Sequence, residues 1–239
     1  MAPYLTAYCL FLLNLITNSA LAADAVHVAA TDPVVSYVGR WGTIERSGRT
    51  SKATVNSSSQ IYLTFSGHHV AGLFDIKEID YLEQIYVRVD RGPWELFTID
   101  RPRIEFFPVG LSTGSHHLEI AVKDVDGRGD RVRGERWFPP LHSAVIFQGF
   151  ELDSGARVEP NPPSTREPFL EFFGDSITQG EGLLQRGGAV NSTDGLATYA
   201  WIAGEELGTV HAQVAFGGHG VIRNASGEVP PAVLSFAWN

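Results

Sequence analysis

The stretch FLEFFGDSIT, residues 169–178, decides the fold of the second half of the chain. Phe169 to Phe173 form a short, mostly apolar run ending at Gly174, which is typical of a strand followed by a turn. Ser176 then lies where α/β folds place their functional sites, at the end of a parallel strand. Gly174 permits a tight turn whose N–H groups can face a developing oxyanion. A serine that caps a helix explains the same residues, and the pattern alone leaves both interpretations open.

A helix and a second strand follow the serine turn. Ala197 to Leu207 has apolar residues at helical spacing, with Asp194 as a candidate N-cap and Gly208 as the stop. Val210 to Phe216 is apolar again and ends at Gly217-Gly218-His219-Gly220. Strand, helix and strand in this order predict a parallel βαβ unit.

The region before the serine turn consists of short strands and turns. Strands are predicted at Gln60–Phe65, His69–Phe74, Gln84–Val89, Trp94–Ile99, His117–Val122 and Ser143–Phe150. Aromatic and β-branched strands with Gly and Asp turns predict a sandwich or jelly roll over residues 33–158. Residues 159–168, rich in proline, are predicted to link this domain to residues 169–239, because proline disfavours both helix and sheet.

Composition argues against a disordered chain and against a nucleic-acid binder. The chain has 239 residues, a formal net charge of −9 and 44% hydrophobic residues, which is enough for a packed core. A sequence-independent nucleic-acid binder needs a basic surface to neutralise phosphates, so nucleic acid is not an expected partner.

The N-terminus has the features of a secretory signal. Residues 1–22 carry no charge, and the apolar run Cys9 to Ile16 precedes Ala20-Leu21-Ala22, a small-x-small cleavage pattern. The run is shorter than the ~20 apolar residues that span a bilayer, so no membrane contact is expected after removal of residues 1–22. Cys9 is the one cysteine, so the mature chain would have no disulfide and no cysteine nucleophile or ligand. We therefore expect a secreted, extracellular protein.

Other motifs are weaker. The chain contains three N-x-S/T sequons, at Asn56, Asn191 and Asn224, of which Asn56 is the best candidate for glycosylation. Asp124 to Glu135 approaches the spacing of a calcium loop, but Arg128 occupies a ligand position, which favours a solvated hairpin loop. Adjacent histidines on a strand point to opposite faces, so His68-His69 and His116-His117 predict no metal site.

Three tryptophans of the first domain admit two explanations. Trp41, Trp94 and Trp137 can stack on sugars, or they can pack in the core, which is the more common arrangement in a sandwich.

Two motifs of the second half resemble a known family. GDSIT after an apolar strand resembles the first motif block of the SGNH, or GDSL-type, hydrolases, and AFGGHGVIRN at 215–224 resembles the second. Upstream, SYVGRWG (36–42), VRVDRGPW (87–94) and FQGFELDSGA (147–156) resemble the β-sandwich that precedes such a domain in carbohydrate esterase family two. The resemblance implies a jelly-roll-like β-sandwich followed by the first part of a three-layer α/β/α domain.

The resemblance also implies an activity and site residues. Ser176 would be the nucleophile, and the N–H groups of Ser176 and Gly218 would form the oxyanion hole. The expected substrate is an acetylated polysaccharide such as xylan, and the reaction needs no metal or organic cofactor.

The catalytic base of the family is not found. Its third block, with an oxyanion asparagine, and its late D-x-x-H-type block have no match, and no histidine follows His219. A five-stranded α/β sheet, at about 30 residues per βαβ step, also needs more than residues 169–239 provide. We therefore expect a chain truncated at its C-terminus and inactive alone, since a serine hydroxyl needs a base. The alternative is a non-catalytic glycan-binding or interaction module.

Overall fold

The computed structural model describes residues 24–125, 141–160, 168–184, 192–220, 222–223 and 225–227. These residues are mainly β-strand with short helices, as the sequence predicts. The strands are β1 Val26–Ala29, β2 Ser36–Val38, β3 Gly42–Arg46, β4 Arg49–Thr54, β5 Gln60–Ser66, β6 Val70–Phe74, β7 Gln84–Val89, β8 Glu95–Thr98, β9 Arg103–Phe106, β10 Ser115–Asp124, β11 Val145–Leu152, β12 Arg157–Glu159, β13 Phe169–Gly174 and β14 Val210–Ala215. The helices are α1 Ser176–Gln179 and α2 Tyr199–Glu206, with a 3-10 turn at Gly195–Ala197.

Strands β1 to β12 form two antiparallel sheets, together called the β unit here. One sheet has the order β3-β4-β11-β6-β9, with β1 also paired to β11. The other has the order β12-β5-β10-β7-β8, with β2 also paired to β5. Alternate residues of β5, such as Leu63 and Phe65, are fully buried against Phe74 and Phe147 of the first sheet. One apolar core therefore lies between the two sheets.

Strands β13 and β14 pair in parallel, in register from Phe169 opposite Val210 to Gly174 opposite Ala215. Helix α2 covers one face, where the His211 ring fills the space beside Gly204 and packs edge-on against Trp201 at 4.7 Å. The other face contacts the β unit, because Val214 and Phe216 share a second apolar cluster with Ala53, Val55, Leu141, Ala144 and Ile146. The two-stranded sheet is thus enclosed between α2 and the β unit.

The structure corrects the predicted start of the helix. Helix α2 begins at Tyr199, and Thr198 is its N-cap, with its hydroxyl accepting from the Trp201 N–H at 3.2 Å. Asp194 instead caps the 3-10 turn through the Leu196 N–H at 3.0 Å. Gly208, at φ +63°, follows the helix as predicted. The β unit also has a strand before residue 33, because β1 pairs with β11.

Burial contradicts the prediction for Asn56. Its side chain is only 1% exposed, in the β4–β5 loop, so the folded protein has no room for a glycan there. Trp41 is a core residue, and Trp94 packs against Trp201 at 6.1 Å and beneath Arg88 at 4.2 Å. Trp41 therefore follows the core interpretation, whereas Trp94 is half-buried outside the core and packs against helix α2.

Several sequence predictions concern segments outside the described residues. These are the signal at 1–22, most of the Asp124–Glu135 loop, Trp137, Asn191, Asn224 and most of the proline-rich segment. Within the described ranges, no helix has the length and apolar character that a membrane span requires. Those ranges also contain no group of three or more His, Cys, Asp or Glu side chains that could hold a metal ion.

Candidate active site

Close packing around Gly174 forms the serine turn. A Cβ at Gly174 would lie 2.0 Å from Thr178 Oγ1, so a side chain at this position would displace the threonine. The Asp175 carboxylate accepts from the Ile177 N–H at 3.0 Å and caps α1. Ser176 is consequently the first residue of a helical turn that directly follows a parallel strand.

The far end of α1 is fixed by further contacts. Thr178 and Tyr199 share a hydrogen bond between their hydroxyl groups at 2.9 Å, which ties the turn to α2. Gly180 adopts φ +87°, and a Cβ there would lie 2.3 Å from the Asp194 carbonyl oxygen. Only glycine combines this left-handed backbone with so close an approach. The motif therefore specifies a rigid turn on both sides of Ser176.

The glycine loop after β14 lies beside Ser176. The Phe216 N–H donates to the Gly174 carbonyl at 3.3 Å, which joins the ends of the two parallel strands. A Cβ built on Gly217 would lie 3.6 Å from Ser176 Cβ, so this glycine is in close contact with the serine. Gly218 follows at φ +78° and is exposed. The structure thus brings the two sequence motifs together.

Hydrogen bonding distinguishes the N–H groups around Ser176. The Gly217 N–H donates to Gln179 Oε1 at 2.8 Å and is occupied. The N–H groups of Ser176 and Gly218 make no hydrogen bond with the rest of the described chain. Two unoccupied donors on adjoining elements are what an oxyanion hole requires.

A carboxylate also lies close to the serine. A Cβ at Gly217 would be 2.3 Å from Glu181 Oε2, so the Glu181 carboxylate packs on Gly217, the glycine that also contacts Ser176. The Glu181 side chain is exposed, and within the described part of the chain it forms no ion pair.

No histidine contact activates the serine within the described residues. His219 is the histidine of the glycine loop, but its Nδ1 contacts the Gly217 carbonyl at 3.1 Å and its ring packs against Phe216. His211 lies beneath α2, and the other six precede the serine turn in the β unit.

One histidine of the β unit has the D-x-x-H spacing. Asp24 and His27 have it, but His27 pairs with Glu151 on β11. Ile146 is the residue of β11 that contacts β14. Glu151 lies five residues further along β11, and His27 beside it is therefore ~17 Å along the strand from that contact.

The sequence interpretation missed several residues that hold the β unit and the βαβ unit together. Ser57 Oγ donates to the Gln179 carbonyl at 3.3 Å, and Gln60 Nε2 donates to the His211 carbonyl at 2.7 Å. Arg40 forms a bidentate pair with Glu171 at 2.7 and 2.6 Å. These contacts join the β unit to the βαβ unit. No local signal marks them, because each involves residues more than 100 positions apart.

Lys123 is the least expected of these residues. It is 1% exposed, and its Nζ donates to the Thr193 carbonyl at 2.6 Å. Burial lowers the pKa of Lys123, whereas the charges of Asp194 and Asp124 raise it, and the net direction is downward. Tyr86 donates to the same Asp194 at 2.7 Å, and burial together with this bond raises the pKa of Tyr86. On β10, Lys123 lies on the face away from the core, and the βαβ unit covers that face.

Comparison with solved structures identifies proteins of the same fold. A family two carbohydrate esterase from Cellvibrio japonicus aligns with a TM-score of 0.65 and 20% identity, over 90% of this chain and 59% of that one. An acetyl xylan esterase from the rumen bacterium Butyrivibrio proteoclasticus aligns with a TM-score of 0.63 and 17% identity, over 87% and 53%.

A third similar structure contains a carbohydrate. It is a family two carbohydrate esterase from Clostridium thermocellum in complex with cellohexaose, with a TM-score of 0.61 and 20% identity, over 84% and 56%. This chain thus spans less than two thirds of the length of these structures. No protein-family model and no curated protein matches it. The predicted resemblance to carbohydrate esterase family two is therefore found in the structure, at the level of the fold.

Proposed function

We propose that this chain forms the nucleophile and oxyanion part of a carbohydrate esterase site of SGNH type. Ser176 is the nucleophile, and the N–H groups of Ser176 and Gly218 stabilise the tetrahedral oxyanion. The observation that supports this proposal best is the contact between Gly217 of the glycine loop and Ser176, with the N–H groups of Ser176 and Gly218 making no hydrogen bond within the described chain. The shared fold of family two carbohydrate esterases is consistent with it.

The proposal includes the architecture and the substrate. The β unit is a jelly-roll-like sandwich, and β13, α2 and β14 are the first part of a three-layer α/β/α domain. The substrate is an acetyl ester of a polysaccharide such as xylan, in keeping with the acetyl xylan esterase that shares the fold. A secreted protein would meet such a substrate outside the cell.

We further propose that these 239 residues do not complete the reaction unaided. A serine hydroxyl needs a base to accept its proton, and in serine hydrolases loss of the base alone costs about as much as loss of the whole catalytic set. Within the described residues, no histidine nitrogen forms a hydrogen bond with the Ser176 hydroxyl. An external base should therefore reveal the activity of the serine.

Imidazole tests this directly. The chain is incubated with an aryl acetate, with and without imidazole, and the peptide containing Ser176 is analysed for an added acetyl group. We expect acetylation that depends on imidazole and is absent from Ser176→Ala. Acetyl release from acetylated xylan should be negligible without imidazole. If, with imidazole present, the peptide is acetylated equally in the chain and in Ser176→Ala, the proposed nucleophile is overturned. Strong turnover without imidazole would overturn the proposal that the base is missing.

The missing base favours a second candidate, a non-catalytic glycan-binding module. Among similar structures, the Clostridium thermocellum esterase is in complex with cellohexaose. Calorimetric titration with cellohexaose and with unacetylated xylan separates the two functions. Binding of these glycans by a chain whose Ser176 is inert, even with imidazole, would support the module.

A further inference from the structure

Gln179 connects the two elements that form the candidate site. It is the last residue of α1, the turn that begins with Ser176, and its side chain is 8% exposed. Its Oε1 accepts from the Gly217 N–H at 2.8 Å. One buried side chain therefore fixes the glycine loop relative to the nucleophile.

The backbone of Gln179 is itself held on two sides. Its N–H donates to the Asp175 carbonyl at 2.9 Å, and its carbonyl accepts from Ser57 Oγ at 3.3 Å. The second bond comes from the β unit. Since the main chain cannot shift easily, the position of Oε1 is well defined, and so is the position of the N–H that it binds.

This bond also determines which glycine N–H stays open. Gly217 packs against Ser176 and Gly218 directly follows it, but the Gly217 donor is occupied by Gln179. The left-handed conformation of Gly218 reverses the chain direction, and the Gly218 carbonyl then accepts from the Ala225 N–H at 2.7 Å. The Gly218 N–H thus remains for a ligand.

We propose that Gln179 is a positioning residue for the oxyanion hole: it holds the Gly217 N–H so that the Gly218 N–H faces the ester oxygen. This inference rests on the proposed function. A displacement of about 1 Å at a reacting centre can cost ~100-fold in rate, so one lost hydrogen bond in the loop should be measurable.

The assay is the imidazole-dependent acetylation of Ser176 by an aryl acetate. Imidazole accepts the hydroxyl proton, Ser176 Oγ forms a bond to the carbonyl carbon, and the C–O bond to the phenol breaks. The phenolate leaves with the proton returned from imidazolium. The same reaction is run with the O-aryl thionoacetate, in which sulfur replaces the oxygen that the hole binds. Sulfur is larger and accepts hydrogen bonds poorly, so the ratio of the oxo to the thiono rate reports on the hole.

Two substitutions of Gln179 and one control substitution separate positioning from folding. Gln179→Met keeps the length and removes the acceptor, so we expect an oxo rate ~10- to 100-fold lower and a smaller oxo/thiono ratio. Gln179→Glu keeps an oxygen acceptor, so we expect the ratio to recover even if the added charge slows both reactions. Gln84→Met makes the same change in the β unit, where Gln84 bonds Thr98 at 3.2 Å, and should leave the ratio unchanged.

The outcomes distinguish the two proposals. A partly unfolded variant lowers both rates equally and leaves the ratio intact, so an unchanged ratio in Gln179→Met would overturn the positioning role. Failure of Gln179→Glu to recover the ratio would overturn it as well. If the unsubstituted chain shows no Ser176 acetylation with imidazole, the proposed function fails, and the positioning role fails with it.

Discussion

Replacing Asp90 with asparagine should remove a pH-dependent contribution to stability from the β unit. His116 lies between two acceptors, since its Nδ1 is 2.7 Å from Asp90 Oδ2 and its Nε2 is 2.9 Å from the Ser112 carbonyl. A neutral imidazole has one N–H and can satisfy only one of them, whereas an imidazolium donates to both. Burial lowers the pKa of His116, but the bonds to Asp90 and Ser112 raise it more, and the net pKa is raised.

The sign of the pH dependence follows from these directions. Because the folded pKa of His116 is above its unfolded value, its contribution is fully present below the unfolded pKa, ~6.5, and is lost as the pH rises through the folded pKa. Burial raises the pKa of Asp90, but the hydrogen bonds from the His117 N–H and from His116 lower it by more, so the net pKa is lowered. The Asp90 contribution is therefore present above its unfolded pKa and is lost as the pH falls through the folded value.

The magnitude comes from the hydrogen bond. A bond to a charged group contributes about 1.5–3 kcal/mol against about 0.5–1.5 for a neutral one, and the Asp90 side chain is 50% exposed, which favours the low end. Asp90→Asn should therefore cost about 1 kcal/mol near pH 6, or ~2–4 °C in Tm. Asparagine suits the backbone, because residue 90 has φ +51° and asparagine tolerates this region.

The assay is thermal unfolding of both proteins from pH 5 to pH 9. We expect the Tm of the natural chain to fall as the pH rises through the folded pKa of His116, and the Tm difference from Asp90→Asn to shrink over the same range. Parallel Tm curves for the two proteins would refute the argument, and so would a difference that grows with pH.

Two other substitutions and one analysis of glycosylation test the packing. Gly174→Ala should lower stability by about 1–3 kcal/mol in urea unfolding, because a Cβ would lie 2.0 Å from Thr178 Oγ1, whereas Ser176→Ala should leave stability unchanged. Lys123→Met should cost about 1–3 kcal/mol by leaving the buried Thr193 carbonyl unpaired, with Lys77→Met, at an exposed position, as a control within ~0.5 kcal/mol. After secretion from a eukaryotic host, the peptide containing Asn56 should carry no glycan by mass spectrometry; a modified Asn56 in folded protein would contradict its burial.

The sequence predicted features whose causes are local. The strand at Gln84–Val89 is found with the predicted bounds, since β-branched and aromatic residues precede a turn there. The serine turn and the left-handed Gly208 were also predictable, because each depends on residues within a few positions. The prediction that Asp194 is the N-cap of the helix was wrong for the same reason. Asp194 has the right chemistry for a cap, but it caps the 3-10 turn that precedes the helix.

The sequence did not predict what lies across the interface. Lys123 and Asn56 would be expected at the surface of an isolated sandwich, because nothing in their neighbours indicates a cover. The Asn56 sequon is formally acceptable, yet the β4–β5 loop packs beneath the βαβ unit, where Ser57 and Ser58 contact Gly195. Burial of this kind depends on how two distant segments pack, and the residues adjacent to Lys123 and Asn56 in the sequence do not indicate that packing.

The same interface bears on the prediction that residues 159–168 link two domains. A linker suggests two bodies that fold separately, but Val214 and Phe216 bury their side chains against Ala53, Val55 and Ile146 of the β unit. A parallel sheet must cover both faces, and in the described structure helix α2 covers one and the β unit the other. Without the β unit, β14 would expose that face, and Gln179 would lose the Ser57 bond that holds its backbone. The β unit is therefore part of the scaffold that holds the serine turn and the second strand of the parallel pair in place.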